Sequence, residues 1–425
     1  MKKIFKSTGA IMAIIGLMTG AQAGAQTTLV KAARYLDMDS GRYVSPATVL
    51  VENGRIASLS PSAEQVNNAD ETIDLGGRTL LPGFIDMHTH LAYDIGTDWV
   101  TEPVRWTEAD FALRGASNAK KTLEAGFTTV RELGSPMNVS SSLDEAANRG
   151  LIVAPRIFAA NSSLSVTGGH CDVTGFAPGI LEGDVKSGLA DGADEFLKAT
   201  RYQIKHGAKV IKVCATAGVL SFEATLGAQQ MTMEEMRAVV EEAERHGVRV
   251  AAHAHGTEGI IAASEAGIHS IEHASIITDE AARVLKANGT YIVPTLYLSE
   301  SIDYDALPAP IRKKAEDVMP MMDESFRVAM RRGVKIAFGT DAGVYPHGDN
   351  AKEFAYRVNL GQSEIEALRS ATTYAADLLG VSDRGLIAQG RYADIVAVDG
   401  DPLEDITTTE TVSFVMKGGT VFVAP

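Results

Sequence analysis

Cysteine and aromatic residues are scarce in this chain of 425 residues. It has two cysteines, Cys171 and Cys214, and 6% of its residues are aromatic. Two cysteines cannot build the disulfide framework on which small secreted domains depend. One bridge between them remains an open alternative, but we favour two buried free thiols.

Positive charge and long apolar runs are scarce as well. The chain has 39 Lys and Arg against 54 Asp and Glu, a formal charge of −15, which argues against nucleic acid as a partner. The apolar run at residues 10–18 is shorter than the roughly 20 residues that a membrane span requires. With 45% apolar and 22% charged residues, the composition is that of a globular protein, so we expect neither a nucleic acid nor a membrane partner.

The first 25 residues are typical of a secretory signal peptide. Lys2, Lys3 and Lys6 precede the apolar run, and small residues follow it. A membrane anchor is the alternative, but glycine and polar residues end the run too early. We therefore predict cleavage after Ala23 or Ala25 and export, with the periplasm as the destination.

The two ends of the remaining chain have the same texture. Residues 26–82 and 386–425 contain short β-type runs separated by turn pairs such as Asn53-Gly54 and Gly418-Gly419. We predict that these two segments pair into one small β-sandwich domain.

The middle of the chain, residues 83–385, alternates apolar β-branched runs with helical patterns. Glycines recur where a helix should end and the next strand begin. The eight predicted strands are 84–90, 127–130, 151–158, 208–213, 248–253, 268–273, 290–295 and 334–339. The predicted fold class is therefore α/β, a (β/α)8 TIM barrel. An open doubly wound sheet is the alternative, but no glycine-rich phosphate loop follows the first strand.

Metal-binding residue types stand where several of these strands end. The first strand ends in His88 and His90, which share one side of the strand and can reach one metal ion together. His253, His273 and Asp341 end the fifth, sixth and eighth strands. Because a TIM barrel carries its chemistry at the carboxyl ends of its strands, these positions predict a metal site.

Lys212 lies inside the apolar run of the fourth strand. A buried ammonium is costly, so such a lysine should be paired, neutral or chemically altered. It could pair with Glu272. Alternatively, reaction with CO2 would turn its amine into a carbamate, whose two oxygens can bridge two cations.

Together these residues resemble the ligand set of the binuclear amidohydrolase superfamily. That set comprises His-x-His on strand one, a carboxylated lysine on strand four, histidines on strands five and six, and an aspartate on strand eight. The corresponding residues here are His88, His90, Lys212, His253, His273 and Asp341. The resemblance extends over nearly the whole chain, since residues 81–86 and 390–403 are similar to the family's entry into the barrel and return from it.

Four shorter motifs are similar to the imidazolonepropionase-like branch of that superfamily. They lie at residues 167–170, 211–216, 253–256 and 270–273. This branch includes Xaa-Pro and carboxypeptidase-like dipeptidases and enzymes that hydrolyse ochratoxin. Two departures, Ala217 and the insert at 172–179 after Cys171, put the shape of the substrate loop in question.

The resemblance implies a cofactor and a reaction. Two divalent metal ions, with Zn²⁺ expected, would share the carbamate of Lys212, and a hydroxide bridging them would attack an amide carbonyl. Asp341 would act as base and then acid, and His170 would hydrogen-bond the carbonyl oxygen. We further expect His255, Tyr297 and His347 to line the substrate pocket.

The resulting function hypothesis is release of a C-terminal amino acid from dipeptides or N-acyl amino acids, with ochratoxin A among the candidate substrates. A small-molecule amide is thus the expected partner, and we expect a homo-oligomer. A cyclic-amide hydrolase or deaminase on the same barrel is the first alternative. A non-catalytic metal-binding or ligand-binding protein of the cell envelope is the second.

Overall fold

The computed structural model of the protein describes residues 27–96, 98–223 and 225–425. The predicted signal peptide, residues 1–25, lies outside these ranges. The predicted export therefore stays a prediction.

The strands and helices alternate along most of the chain. The described strands are β1 Thr27–Ala32, β2 Arg34–Asp37, β3 Arg42–Val44, β4 Ala47–Glu52, β5 Arg55–Ser58, β6 Glu71–Asp74, β7 Thr79–Pro82, β8 Phe84–Thr89, β9 Phe127–Glu132, β10 Arg156–Ala159, β11 Val210–Cys214, β12 Arg249–Ala254, β13 Ser270–His273, β14 Tyr291–Val293, β15 Lys335–Ile336, β16 Ile395–Val398, β17 Val412–Lys417 and β18 Thr420–Val423. The described α-helices are α1 Ala63–Asn67, α2 Glu102–Arg105, α3 Glu108–Glu124, α4 Val139–Asn148, α5 Ala193–Lys205, α6 Met233–Arg245, α7 Thr257–Glu265, α8 Asp279–Asn288, α9 Leu298–Ser301, α10 Ala309–Arg332, α11 Lys352–Asn359, α12 Glu364–Ser370 and α13 Thr373–Leu379. None of these helices combines the length and apolar character needed to cross a bilayer.

Both ends of the chain contribute to the smaller part of the molecule. One sheet has the strand order β5-β4-β1-β6, and the other has the order β18-β17-β16-β7-β2-β3. The strand β16 pairs antiparallel with β7, which joins the C-terminal segment to the N-terminal one. Val30, Leu80, Ile395 and Phe414 are fully buried in the shared core. A small β-sheet domain from both chain ends is therefore confirmed, while its predicted limits at 82 and 386 stay a prediction.

Eight parallel strands, β8 to β15, form the TIM barrel. They are hydrogen-bonded in the runs β8-β9-β10 and β11-β12-β13-β14-β15. Parallel bridges from Leu164 to Val213 and from Thr89 to Ala342 connect these two runs. The strands carry apolar residues on both faces because helices cover the outside and side chains fill the inside. The predicted fold class is confirmed.

The helix α6 shows how the local sequence sets these elements. The Thr232 side chain accepts a hydrogen bond from the backbone N–H of Glu235, whose side chain bonds back to the cap. Met236, Val239 and other apolar residues on one face are buried against the barrel. Gly247, just past the helix end, has φ +67°, which suits the left-handed turn into β12.

Two strands differ most in extent from the sequence prediction. The third barrel strand begins at Arg156 rather than at residue 151, because Pro155 has no N–H to donate and Leu151 is exposed in a turn. The eighth is regular only over Lys335–Ile336, and the chain then reaches Asp341 through separate hydrogen bonds, such as that from the Asp341 N–H to the His88 carbonyl at 2.7 Å.

Candidate metal centre

Five strand ends bring the six predicted ligands to one end of the barrel. His88 lies in β8 and His90 directly follows it, Lys212 lies in β11, His253 in β12 and His273 at the end of β13. Asp341 follows β15. All six line one cavity of about 290 Å³. The sequence prediction that they share one site agrees with these positions.

Three of the six converge on a common point. The Nε2 atoms of His88 and His90 are 3.3 Å apart, and each lies 3.3 Å from Oδ1 of Asp341. Two imidazole nitrogens and a carboxylate oxygen at these separations can bind one divalent cation. These donors therefore fit a metal ion.

The remaining predicted ligands lie beside this group. The Lys212 Nζ is 3.5 Å from the His88 Nε2. The ring of His273 is 5.1 Å from that of His88 and 4.8 Å from that of His253, measured between centroids. The Nε2 atom of His253 is buried and has no hydrogen-bond partner among the described residues. A buried imidazole nitrogen that has no hydrogen-bond partner and lies near the other predicted ligands also fits a metal centre.

The backbone at two of these positions is strained. His273 has φ +67° and Asp341 has φ +63°, which are left-handed conformations that residues other than glycine seldom adopt. Such conformations cost about 1 to 3 kcal/mol each and are retained where the surrounding structure enforces them. Both residues line the shared cavity, so the strained positions coincide with the candidate site.

The outer nitrogens of several histidines are held by hydrogen bonds. The Nδ1 of His88 contacts Oε2 of Glu272 at 3.0 Å, that of His90 contacts the Gly134 carbonyl at 3.0 Å, and that of His273 contacts the Thr295 hydroxyl at 2.8 Å. Fixing Nδ1 in this way turns Nε2 inward and sets the tautomer that a metal ligand needs.

Glu272 is itself held by a buried arginine. Nη2 of Arg131 donates to Oε1 of Glu272 at 2.7 Å, and the Ser270 hydroxyl donates to the same oxygen at 2.6 Å. Glu272 thus uses both oxygens on groups other than Lys212. The structure therefore does not show the alternative in which Glu272 pairs with Lys212. Among the described residues, no carboxylate lies within ion-pair distance of the Lys212 amine.

Burial sets the protonation of the cluster. It lowers the pKa of His88, His253 and His273 well below 6.5, and nearby positive charge adds to the effect, so these rings are neutral at pH 7. Burial also lowers the pKa of Lys212 to about 8. Burial raises the pKa of Asp341, but the charge of His88 and the hydrogen bond from His90 lower it by more, and the carboxylate stays ionised. At His90 burial lowers the pKa, but the hydrogen bond to Asp341 and the charge of Asp341 raise it by more. Neutral imidazoles and a carboxylate are the forms that bind a metal ion.

His170 lines the cavity from the loop that follows β10. Its ring centroid is 4.1 Å from that of His253. The neighbouring Cys171 forms a disulfide with Cys214, the last residue of β11. Our preference for two free thiols was therefore wrong, because the loop folds back and brings residues 43 apart in sequence together.

The rest of the cavity wall is largely apolar. The apolar lining residues include Tyr93, Ile95, Trp99, Val100, Pro103, Val173, Phe176, Leu220, Phe222 and Val344. Asp94, Glu102 and Asp172 add negative charge, and Lys212 is the single lysine or arginine among the described lining residues. The cavity therefore suits a molecule with a bulky apolar group.

Three residues predicted to line the pocket lie behind its wall instead. The Nδ1 of His255 contacts the Ser275 hydroxyl at 2.7 Å, and its ring stacks on that of His273. Tyr297 packs on Tyr345. His347 is buried with its Nε2 3.2 Å from the His90 carbonyl. None of the three is among the cavity-lining residues that the structure describes.

Arg131, Ser221 and Glu223 gave no signal in the sequence, whereas Glu272 was considered there as a partner of Lys212. Arg131 and Glu272 form a buried pair across the barrel, and Ser221 and Glu223 approach His170 from the loop after β11. Glu272 stands next to a predicted ligand, which was the one available clue. The other residues carry no motif that distinguishes them from ordinary polar residues.

Comparison with known proteins agrees with the barrel fold and the candidate metal site. A sequence model of the amidohydrolase family matches residues 79–422. The chain is 32% identical over 371 residues to ochratoxinase of Aspergillus niger, covering 81% of this chain and 76% of that protein. It is 25% identical over 400 residues to imidazolonepropionase of Deinococcus radiodurans, covering 86% of this chain and 88% of that one.

Solved structures give a similar result. A Xaa-Pro dipeptidase with methionine bound in its active site is 38% identical, with a TM-score of 0.88 over 93% of this chain and 99% of that one. A prolidase complexed with N-methylphosphonate-L-proline is 31% identical, with a TM-score of 0.85 over 94% of this chain and 100% of that one. The structure of A. niger ochratoxinase is 30% identical, with a TM-score of 0.83 over 94% of this chain and 96% of that one.

Proposed function

The chain belongs to the amidohydrolase family and is a hydrolase that acts on amide bonds, and from this premise we propose that it releases the C-terminal amino acid from dipeptides or N-acyl amino acids. We propose two divalent metal ions as its cofactor, with zinc as the expected metal. Similarity to Xaa-Pro dipeptidase, prolidase and ochratoxinase supports this substrate class, and ochratoxin A is one candidate.

One observation carries the proposal, namely the environment of Lys212. Its amine is buried beside His88, and burial lowers its pKa to about 8. A neutral amine is the form that reacts with CO2, and this reaction releases a proton and leaves an anionic carbamate whose buried charge two bound cations would balance. His88, His90 and Asp341 would hold one ion and His253 and His273 the other, with a carbamate oxygen of Lys212 for each.

The bound ions would supply Lewis acidity, which polarises a carbonyl and brings the pKa of water toward neutrality. The protein supplies the proton transfers. The ionised Asp341 accepts a proton from the attacking water and returns it to the leaving nitrogen, so the C–O bond forms, the C–N bond breaks and the products are a carboxylic acid and a free amino acid. His170, which lines the cavity beside His253, hydrogen-bonds the substrate amide.

The cavity wall supports a preference within this substrate class. Its many apolar residues would bury a bulky or aromatic side chain of the substrate. Arginine is missing from the described lining, so the α-carboxylate of the substrate is held by neutral donors or by histidine. Replacing that carboxylate by an amide should lower kcat/KM at least tenfold, about 1.4 kcal/mol of transition-state binding.

The test is a panel of dipeptides, N-acyl amino acids and ochratoxin A, with the released amino acid quantified by mass spectrometry. We expect release from substrates with a bulky apolar C-terminal residue, and loss of activity and of bound metal in Lys212→Ala. The control variant is Lys186→Ala, which removes an exposed lysine outside the cavity lining. It should change neither activity nor bound metal. Equal cleavage of amidated and free substrates would make the enzyme a general amidase, and full activity with two metal ions in Lys212→Ala would refute the binuclear site.

We also propose that the protein is exported to the periplasm. The support is the composition of residues 1–25 and the disulfide between Cys171 and Cys214, since such bonds persist in oxidising compartments. Expression of the full chain with fractionation and N-terminal sequencing tests this. A mature protein that begins after residue 23 or 25 is expected in the periplasmic fraction, and an uncleaved chain in the cytoplasm would refute the proposal.

A further inference from the structure

A chain of hydrogen bonds leads from His170 through Ser221, which also lines the cavity, to Glu223. The Nδ1 of His170 lies 2.7 Å from the Ser221 hydroxyl oxygen. That hydroxyl donates to Oε1 of Glu223 at 2.6 Å, and the backbone N–H of Gly218 donates to the same oxygen at 2.9 Å. His170 comes from the loop after β10, and its three partners come from the loop after β11.

The directions of these bonds determine where the ring proton lies. Partial burial raises the pKa of Glu223, but the nearby His170 and the bonds from Ser221 and Gly218 lower it to about 2, so Glu223 is a carboxylate that only accepts. The Ser221 proton is thus committed to Glu223, and the Ser221 oxygen can only accept from Nδ1. The Nδ1 of the neutral His170 ring therefore carries the proton, and Nε2 is left as an acceptor for a molecule in the cavity.

The loop that carries these partners is anchored by a buried lysine on α10. The Nζ of Lys314 donates to the carbonyl oxygens of Gly218, Ser221 and Glu223 at 2.8, 2.6 and 3.1 Å. The residues whose carbonyls it binds are the same three that form the hydrogen-bond chain. Lys314 is only 7% exposed, and burying its ammonium is costly. Apolar packing could hold the loop at a lower cost, so the use of a buried lysine indicates that the position of this loop matters.

We propose that Ser221 and Glu223 are positioning residues that fix the orientation and the Nδ1-protonated tautomer of His170, and that Lys314 holds them in place. The consequence for the reaction rests on the proposed function. With Nδ1 donating to Ser221, Nε2 of the neutral His170 ring is a hydrogen-bond acceptor that faces the substrate amide. This is the arrangement by which a carboxylate sets the tautomer of a catalytic histidine through an intervening group.

The first arm of the test measures the tautomer and requires no substrate. In enzyme labelled with ¹⁵N-histidine, the His170 signals are identified by their loss in His170→Gln. We expect a protonated Nδ1 and an unprotonated Nε2 for the neutral ring, and a mixture of tautomers in Ser221→Ala. A neutral ring with the proton on Nε2 would overturn the proposal whether or not the protein cleaves amides.

The second arm measures kinetics. Ser221→Ala and Glu223→Gln should lower kcat about 10²-fold, with KM, metal content and melting temperature near those of the parent. Ser221→Thr keeps the hydroxyl and should restore most of kcat, which a general loss of packing would not allow. The control variant is Asp191→Asn, which should keep kcat near that of the parent. Asp191 is an exposed carboxylate that bonds Thr167, at the far end of the loop that carries His170.

The two arms separate this inference from the proposed function. Wild-type kcat in both Ser221→Ala and Glu223→Gln would overturn the positioning role. If no substrate of the panel is cleaved by the parent while the tautomer is as stated, the proposed function fails and the hydrogen-bond chain stands.

Discussion

Addition of one methyl group at Gly218 should disable His170 without touching it chemically. A Cβ built on Gly218 would lie 2.2 Å from both Nδ1 and Cε1 of His170 and 2.5 Å from Nε2. The backbone of Gly218 is outside the left-handed region, so Gly218→Ala acts through this contact and not through backbone strain.

The geometry gives the size of the effect. Carbon atoms in ordinary contact are at least about 3.5 Å apart, so the ring must retreat by about 1.3 Å. A shift of that size away from Ser221 would stretch the 2.7 Å contact at Nδ1 beyond hydrogen-bond length. On its other side the ring meets that of His253. A misplacement of about 1 Å at a reacting centre costs on the order of 10²-fold, which is the loss of kcat we expect. The free energy of unfolding should fall by about 1 to 3 kcal/mol from overpacking.

The assay compares kcat, metal content and melting temperature in the parent and in Gly218→Ala. The matched control is Gly77→Ala, where an added Cβ meets nothing within 4 Å, and it should behave like the parent. The double variant Gly218→Ala with His170→Ala should be no slower than His170→Ala alone, since the methyl group acts through that ring. A kcat in Gly218→Ala within threefold of the parent, or losses that multiply in the double variant, would refute the reasoning.

Four further predictions concern other parts of the molecule. Asp341→Asn should keep its fold and lose kcat by 10² to 10⁴ or more, because the proton acceptor is lost, and a variant within tenfold of the parent would assign that role elsewhere. Glu272→Gln should weaken metal binding about 10- to 100-fold in a chelator competition, because the ring it holds loses its orienting carboxylate, and unchanged binding would contradict this. Replacing Cys171 and Cys214 by serine should lower the free energy of unfolding by about 2 to 4 kcal/mol, since a loop spanning 43 residues is released; an unchanged melting temperature would show that the bond contributes little. Glu242 bonds Arg201, Arg245 and His246, which lower its pKa from 4.5 to about 2. Its contribution to the free energy of unfolding is therefore complete above pH 4.5 and is lost as the pH falls through 2. Glu242→Gln should flatten the acid side of the profile of stability against pH, and parallel profiles of variant and parent would contradict this.

The barrel and the meeting of the predicted site residues at one end of it were predictable because they depend on local patterns. Buried parallel strands have continuous apolar sequences, and glycine ends the helix before a strand, as Gly289 and Gly333 do here with φ +68° and +69°. Residues just past strand ends meet at one face of a barrel wherever they lie in the chain. His88 and Asp341 could therefore be brought together although 253 positions separate them.

The supporting groups could not be predicted because they depend on how loops and side chains meet. Lys314 reaches the loop after β11 from a helix about 90 residues further along the chain, and no local pattern marks it as an anchor. His255 follows a strand end as His253 does, but its backbone N–H bonds to the Thr216 hydroxyl and it does not line the cavity. Proximity in sequence to a ligand thus did not imply contact with the cavity.

Metal titration of the metal-free protein tests the central claim most directly. The protein is stripped with a chelator, Zn²⁺ is returned in measured amounts in the presence of bicarbonate, and release of the C-terminal amino acid is followed from the best substrate of the panel. The account predicts no activity without metal and a rise that saturates at two ions per chain. Full activity in the metal-free protein, or saturation at one ion, would contradict it.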